Sequence, residues 1–316
     1  MTVPAQETFD ISLASGGFRV APEIAGRDYG GFWRRVQSGA WEPETLWLLD
    51  ALLAPGSAFY DVGAWIGPTT LFAAMKGARV VAYEPDPVAR HALLVNLALN
   101  ADIPPVEVRP YALGASRTRL PLFSGELGNS ESSLLSASGR RGAVTELQPR
   151  ADVECRVLRE ELAGIAPDAV VKIDVEGGEF DIFSGAASAP PAGVYVVSLH
   201  GCNLVAARAA DSGRLRVERL NALLDAFADF RWHRLTRWGL LELDQASFRR
   251  HSARRAPPID ELVFSRAPLP CRHPRSPADA TTLWASDGKY QPWRAVGDGT
   301  MGLLGYRPVS IRPSQV

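Results

Sequence analysis

The stretch FYDVGAWIGPTTL, residues 59–71, decides the fold. An apolar run ends at Asp61-Val62, the chain turns through Gly63, and Pro68 opens a helix just after Gly67. Glycines permit a tight turn and let a ligand approach the backbone, and a helix N-terminus offers N–H groups to an anion. Further along, RVVAYE (79–84) places Glu84 at the carboxyl end of a second strand, about 20 residues on, where an acid commonly accepts hydrogen bonds from ribose hydroxyls. A nucleoside ligand is therefore expected. A dinucleotide site calls for G-x-G-x-x-G around its pyrophosphate, whereas this loop has Gly63 and Gly67 separated by Ala64-Trp65-Ile66. S-adenosylmethionine presents one carboxylate and one amine instead, for which a turn glycine, a helix start and an acid such as Asp61 suffice.

Outward from this loop the pattern alternates. SAFYDV (57–62), a helix from Pro68, RVVAYE, a helix over PVARHALLVNLALN (87–100) and VEVRPYAL (106–113) make β-α-β-α-β, the signature of a parallel sheet. Asp86 is a natural N-cap with Pro87 at the first helical position, and Asn100 suits the helix end. AVVKIDV (169–175) and VYVVSLH (194–200) read as further buried strands, separated by a short helix in EGGEFDIFSGA (176–186). RLRVERLNALLDAFADF (214–230) reads as an amphipathic helix, with FRWHRL (230–235) and IDELVFSR (259–266) as closing strands. Upstream, WEPETLWLLDALLAPGS (41–57) predicts a helix with Pro43 in its first turn and Leu46, Leu49, Leu52 and Leu53 on one face. The expected organisation is an N-terminal extension (1–40), a catalytic domain (41–266) with a loop or hairpin insertion at 114–156 over the site, and a Pro/Gly/aromatic tail (267–316).

Four segments, DVGAWIG (61–67), YEPDP (83–87), GNSESSLL (128–135) and VKIDVEGGEFDIFSGA (171–186), together resemble the FkbM family of methyltransferases over roughly residues 40–266. The resemblance implies an α/β, doubly wound, mostly parallel seven-stranded sheet with one antiparallel strand, of the Rossmann-like class I methyltransferase type. It also implies S-adenosylmethionine as cofactor and O-methylation of a hydroxyl on a sugar or secondary metabolite. Asp61, Gly63, Ala64 and Gly67 match the cofactor loop, Glu84 with Pro85 the ribose-binding acid, and Asn129, Ser130 and Asp174 complete the expected cofactor contacts. Trp65 stands where the family's common DVGANIG form has asparagine. It is expected either to face a sulfonium by a cation–π contact or, more simply, to pack.

Ligand crevices of open α/β sheets lie beyond the carboxyl ends of the strands, and Asp174 and His200 both end apolar runs there. Asp174, Glu176 and His200 are thus the candidate catalytic residues, with His200 or Asp174 accepting the acceptor's proton. Glu179 is read as complementing a helix dipole. The three candidates are also of metal-ligating type, but no metal is expected. The basic segment 231–255 is read as a solvated face that would otherwise steer an acidic acceptor.

Composition sets the outer bounds. Thirty-four Lys and Arg nearly balance 35 Asp and Glu, so no overall field favours nucleic acid or an anionic bilayer. Three cysteines without CxxC spacing (Cys155, Cys202, Cys271), no h-region and no long apolar run predict a cytoplasmic protein without a membrane span. The expected partner is a small-molecule or sugar acceptor, with homo-oligomerisation left open. A nicotinamide-dependent oxidoreductase and a catalytically silent binding protein are the competing readings.

Overall fold

A computed structural model describes residues 7–140, 143–183, 189–201, 203, 212–236, 239–246, 248–249, 260–269, 293–296 and 300–303. Eight strands form the central sheet: β1 (Ala58–Val62), β2 (Arg79–Tyr83), β3 (Glu107–Arg109), β4 (Val170–Ile173), β5 (Val194–Leu199), β6 (Arg231–Thr236), β7 (Gly239–Glu242) and β8 (Asp260–Ser265). Their order is β7-β6-β8-β5-β4-β1-β2-β3. Strands β1 to β5 pair in parallel, while β8 runs antiparallel between β5 and β6. The order reverses at β1 and β4, which makes the gap beyond their carboxyl ends the place for a ligand. This is the doubly wound, mostly parallel sheet that the resemblance implies. All seven expected strands are in it, and β7 adds an eighth by hairpin pairing with β6.

The strand expected across 106–113 is divided. β3 stops at Arg109, and Ala112–Gly114 pairs instead with Gln148–Val157, because Pro110 between them has no N–H to continue the ladder. Residues 118–124 pair antiparallel with the same long strand, giving a three-stranded sheet within the predicted insertion.

Helices α1 (Gly30–Gln37), α2 (Pro43–Leu52) and α3 (Pro68–Met75) cover one face of the central sheet. Trp33, Leu48, Leu49 and Phe72 pack there with Phe59, Val170 and Val196. The opposite face is covered by α5 (Glu179–Ile182) and α6 (Ser212–Ala226). Phe180, Leu220, Leu223 and Phe227 meet Val171, Ile173 and Tyr195 on that side. Alternating strand residues serve the two faces in turn, as a sheet buried on both sides requires. α4 (Pro87–Ala98) begins as the sequence predicts: the Asp86 side chain accepts from the N–H groups of Val88 and Ala89, and Pro87 follows. Asn100 donates to the Asn96 carbonyl at its end.

Among the described residues, no helix is long and apolar enough to cross a membrane. Cys202 and Cys271 lie outside the described residues, as do part of the basic segment 231–255 and most of the tail.

Candidate active site

The site is built from the bottom of the β1–β4 gap. β1 ends in Gly63, whose φ of +87° suits glycine, and a Cβ there would fall 1.9 Å from the Asp174 carbonyl oxygen. The turn after β1 is thus pressed onto the end of β4, and the Asp174 N–H donates to the Val62 carbonyl. Glu84, at the end of β2, receives the Trp65 N–H at 2.7 Å and the Asp86 N–H at 2.8 Å. Burial pushes its carboxyl up to about 8, against those two donors, which favour the charged form. A carboxylate has more acceptor positions than these two bonds use, so it can still receive hydroxyls.

Two cavities that share part of their lining open here. A narrow one, about 60 Å³, runs past Glu84 and Pro85, with Tyr83, Tyr111, Ala112 and Leu113 in its wall. A wider one, about 310 Å³, is lined by Phe32, Trp41, Lys172, His200 and Glu261 among others. Gly63, Trp65, Ser130, Asp174 and Glu176 belong to both walls and mark the junction.

Most of the residues expected from the sequence gather at these cavities. Glu84, Pro85 and Asn129 line the narrow one, Ala64 and His200 the wider one, and Gly63, Ser130, Asp174 and Glu176 both. Asp61 does not reach either. It is fully buried under the turn, where its Oδ2 accepts the hydroxyls of Thr69 and Thr70 at 2.7 and 2.6 Å, so it secures the first turn of α3. Gly67 is likewise structural: it starts α3 at φ +98°, close against Leu93. The N–H groups of Gly63, Ala64, Trp65 and Gly67 are taken by Tyr83, Glu84 and Ala64, so the turn itself presents fewer donors to an anion than its glycines suggest.

Trp65 packs. Its ring lies edge-on to Phe32 at 4.5 Å, and its Nε1 donates to the Gly128 carbonyl at 2.8 Å. The backbone at Trp65 has φ +48°, a left-handed conformation that asparagine tolerates better than an aromatic residue. These contacts hold it there and tie the 128–133 loop over the cavities.

At the ends of β4 and β5, Asp174, Glu176 and His200 form a cluster whose candidate ligand atoms all lie within 4.8 Å of one another. His200 Nδ1 sits 3.0 Å from Glu179 Oε1 and 3.1 Å from the Ser198 carbonyl. Glu179 also accepts the N–H groups of Val175 and Gly177, so it both closes the turn and orients the imidazole, a role beyond the dipole. Glu176 has φ +53°, held by Ser133 Oγ and Asn203 Nδ2 donating to its carbonyl. Lys172, 3% exposed, donates to Asp174 Oδ2 at 3.0 Å. Burial opposes a charge on His200, but Glu176, Glu179 and Asp174 outweigh it and hold the ring protonated well above its ordinary range.

The sequence reading missed Lys172, Glu261, Glu42 and the α1–α2 aromatics. Lys172 was detectable as a lone charge inside the apolar run AVVKIDV. It pairs across the sheet with Asp61, and Ser198 with Glu261, which puts a polar floor under the cleft. Burial and repulsion from Glu261 and Asp174 push the Glu42 carboxyl up, and burial and repulsion from Asp174 push the Glu261 carboxyl up.

These shifts share one sign. Glu42, Glu84 and Glu261 titrate higher folded than unfolded, and so does His200, so the folded chain holds extra protons and loses stability as pH rises from about 5 to about 8. The thermal midpoint of the ligand-free protein should fall over that window by at least about 1.5 °C, the effect of ~1 kcal/mol in a chain of this size. Glu42→Gln should flatten the profile; a midpoint that rises with pH would show the cluster's electrostatics to be misread.

With this geometry in place, comparison with known proteins is informative. Residues 61–194 match the model of the methyltransferase FkbM domain. This chain carries an FkbM methyltransferase domain. The domain is of the S-adenosylmethionine-dependent class, and its matched segment contains both Glu84 and the Asp174–Glu176 turn. The chain is 32% identical over 151 residues to the methyltransferase sdnD of Sordaria araneosa, a match covering 40% of this chain and 58% of that protein. Among solved structures, similarity extends to a SAM-dependent methyltransferase from Agrobacterium tumefaciens (12% identity, 84% of this chain, 73% of that one, TM-score 0.38). It extends also to the 16S rRNA N2 G1207 methyltransferase RsmC of T. thermophilus (13%, 84%, 52%, TM-score 0.37).

Proposed function

We propose that the FkbM domain transfers a methyl group from S-adenosylmethionine to a hydroxyl of a small molecule, a sugar or secondary metabolite. The observation that carries this reading is that the two cavities share Gly63, Asp174 and Glu176 in their walls, a narrow slot with a buried acid beside a wide, polar cleft.

The residues present fit the donor. Tyr83, Tyr111, Ala112 and Leu113 offer apolar walls to a base, Glu84 offers acceptor positions to ribose hydroxyls, and glycine at 63 keeps the turn tight against Asp174. When bound, S-adenosylmethionine supplies an activated methyl group, so the protein's main task is to hold the acceptor in line with it. Phe32 and Trp41 give the wider cleft an apolar wall suited to a sugar ring's carbon face, while Glu42, Glu261 and Ser198 offer partners to its hydroxyls. Asp174 and Glu176 stand at the junction, next to where the reacting hydroxyl must lie. Since His200 is already held protonated, it serves better to position and balance these carboxylates than to take the proton itself.

Incubation with isotopically labelled S-adenosylmethionine and a panel of hydroxylated sugars and natural-product scaffolds should yield a labelled methyl ether, identified by mass spectrometry. Label found on nitrogen or carbon, or on RNA alone, would overturn the assignment of acceptor class.

A further inference from the structure

We propose that Asp174, Glu176 and His200 bind one divalent transition-metal cation at the floor of the wider cleft. The inference deepens the reading above by giving the cluster an occupant. It reverses the expectation, drawn from sequence, that no metal is held.

Several features meet at this point. The three side chains offer one imidazole nitrogen and two carboxylate oxygens, all within 4.8 Å of one another, close enough that small rotations of the carboxylates bring each to about 2.0–2.3 Å from one shared ion. His200 is 6% exposed, and its Nδ1 is fixed by Glu179 and the Ser198 carbonyl, so Nε2 is aimed at the carboxylates. Nε2 lies 3.5 Å from Glu176 Oε2 and 3.8 Å from Asp174 Oδ1, and makes no hydrogen bond among the described residues. A buried ring nitrogen pointing at two carboxylates, with its other nitrogen held by a carboxylate, is the arrangement by which proteins orient an imidazole ligand toward a metal. On the far side of Asp174, Lys172 holds Oδ2, which turns Oδ1 toward His200.

One nitrogen and two oxygens suit Mn(II), Fe(II) or Zn(II) better than Ca(II) or Mg(II), which favour oxygen alone. Three protein ligands leave coordination positions open, and the cluster faces the cleft in which the acceptor is placed. A hydroxyl coordinated there becomes more acidic. Its proton leaves to a cleft carboxylate such as Glu261. The bond that forms joins the oxygen to the methyl carbon, and the bond that breaks joins that carbon to the sulfonium sulfur, which keeps the electron pair. His200 then acts as a ligand, the cation taking the place of the proton that Nε2 carries in its absence.

The test is titration of the chelator-treated full chain with Mn(II), followed by the loss of the free-ion electron paramagnetic resonance signal, and repeated with Zn(II) in competition. S-adenosylmethionine binding is measured calorimetrically on the same samples. One ion per chain is expected. Glu176→Gln and His200→Ala should each weaken it about tenfold or more, and His200→Ala, outside the donor slot, should keep donor affinity, which also shows that this variant is folded. Asp174→Asn, with the least change in shape, provides a third variant. Absence of stoichiometric binding of either ion while the donor still binds would overturn the metal site and leave the methyltransferase reading standing. Ion binding that survives all three substitutions would also overturn it. Loss of donor binding by the wild-type chain would count against the methyltransferase reading instead.

Discussion

Gly63→Ala should destabilise the protein by about 3–5 kcal/mol and strip it of donor binding, the largest effect expected of any single methyl group in this chain. Two independent costs add. The backbone at position 63 has φ +87°, which an L side chain adopts only under strain, and the new carbon would lie 1.9 Å from the Asp174 carbonyl oxygen and 2.9 Å from the carbon behind it. Those atoms are backbone at the end of β4, in the middle of the sheet, so neither neighbour can swing aside as a flexible side chain would. Relief requires β1 and β4 to separate where Asp174 N–H meets the Val62 carbonyl, and that displaces both the nucleoside slot and the Asp174–Glu176 turn. Thermal unfolding with donor titration measures both costs. A variant with the wild-type midpoint and affinity would mean that the turn is looser than its geometry requires.

His200→Ala should lower turnover about 10²-fold or more while leaving donor affinity close to wild type. The ring borders the acceptor cleft and not the slot beside Glu84, so its removal should be felt after the donor is bound. It also leaves Glu176, Glu179 and Asp174 facing one another without the imidazole among them, so some stability is lost through their repulsion. The diagnostic is therefore the split between the two readouts. Equal loss of donor affinity and turnover would indicate a collapsed site, and full activity would remove His200 from the mechanism.

The sheet was legible because its signals are local. Each parallel strand is an apolar run followed by turn chemistry, and Asp86-Pro87 announces α4 unambiguously. What failed was any inference that needed a second segment of chain. Pro110 cuts the third strand, but only its neighbour at 148–157 explains where Ala112–Gly114 goes. Asp61 reads as a ligand-facing acid until Thr69 and Thr70, eight and nine residues away, are seen to claim its Oδ2 from the first turn of α3.

The candidate site shows the same division. Glu84, Asp174, Glu176 and His200 end their strands or follow them, so topology alone brings them to one crevice. Phe32 comes from a stretch with no usable periodicity and Trp41 and Glu42 open the segment read as a helix, and nothing in their local sequence announces that they wall the cleft. Glu179 has a sufficient local explanation at a helix start, which hid its contact with His200 across 21 residues of chain. Trp65 is a departure that sequence could flag but not interpret: its edge-on contact with Phe32 and its bond to Gly128 come from distant segments.

Calorimetric titration of S-adenosylmethionine, with NAD as comparator, into the wild-type chain and Glu84→Ala tests the central claim most directly. One molecule of S-adenosylmethionine per chain should bind and NAD should not, and Glu84→Ala should cost about 1–3 kcal/mol by leaving buried ribose hydroxyls without partners. Binding of NAD in its place, or an affinity for S-adenosylmethionine indifferent to Glu84, would contradict the account.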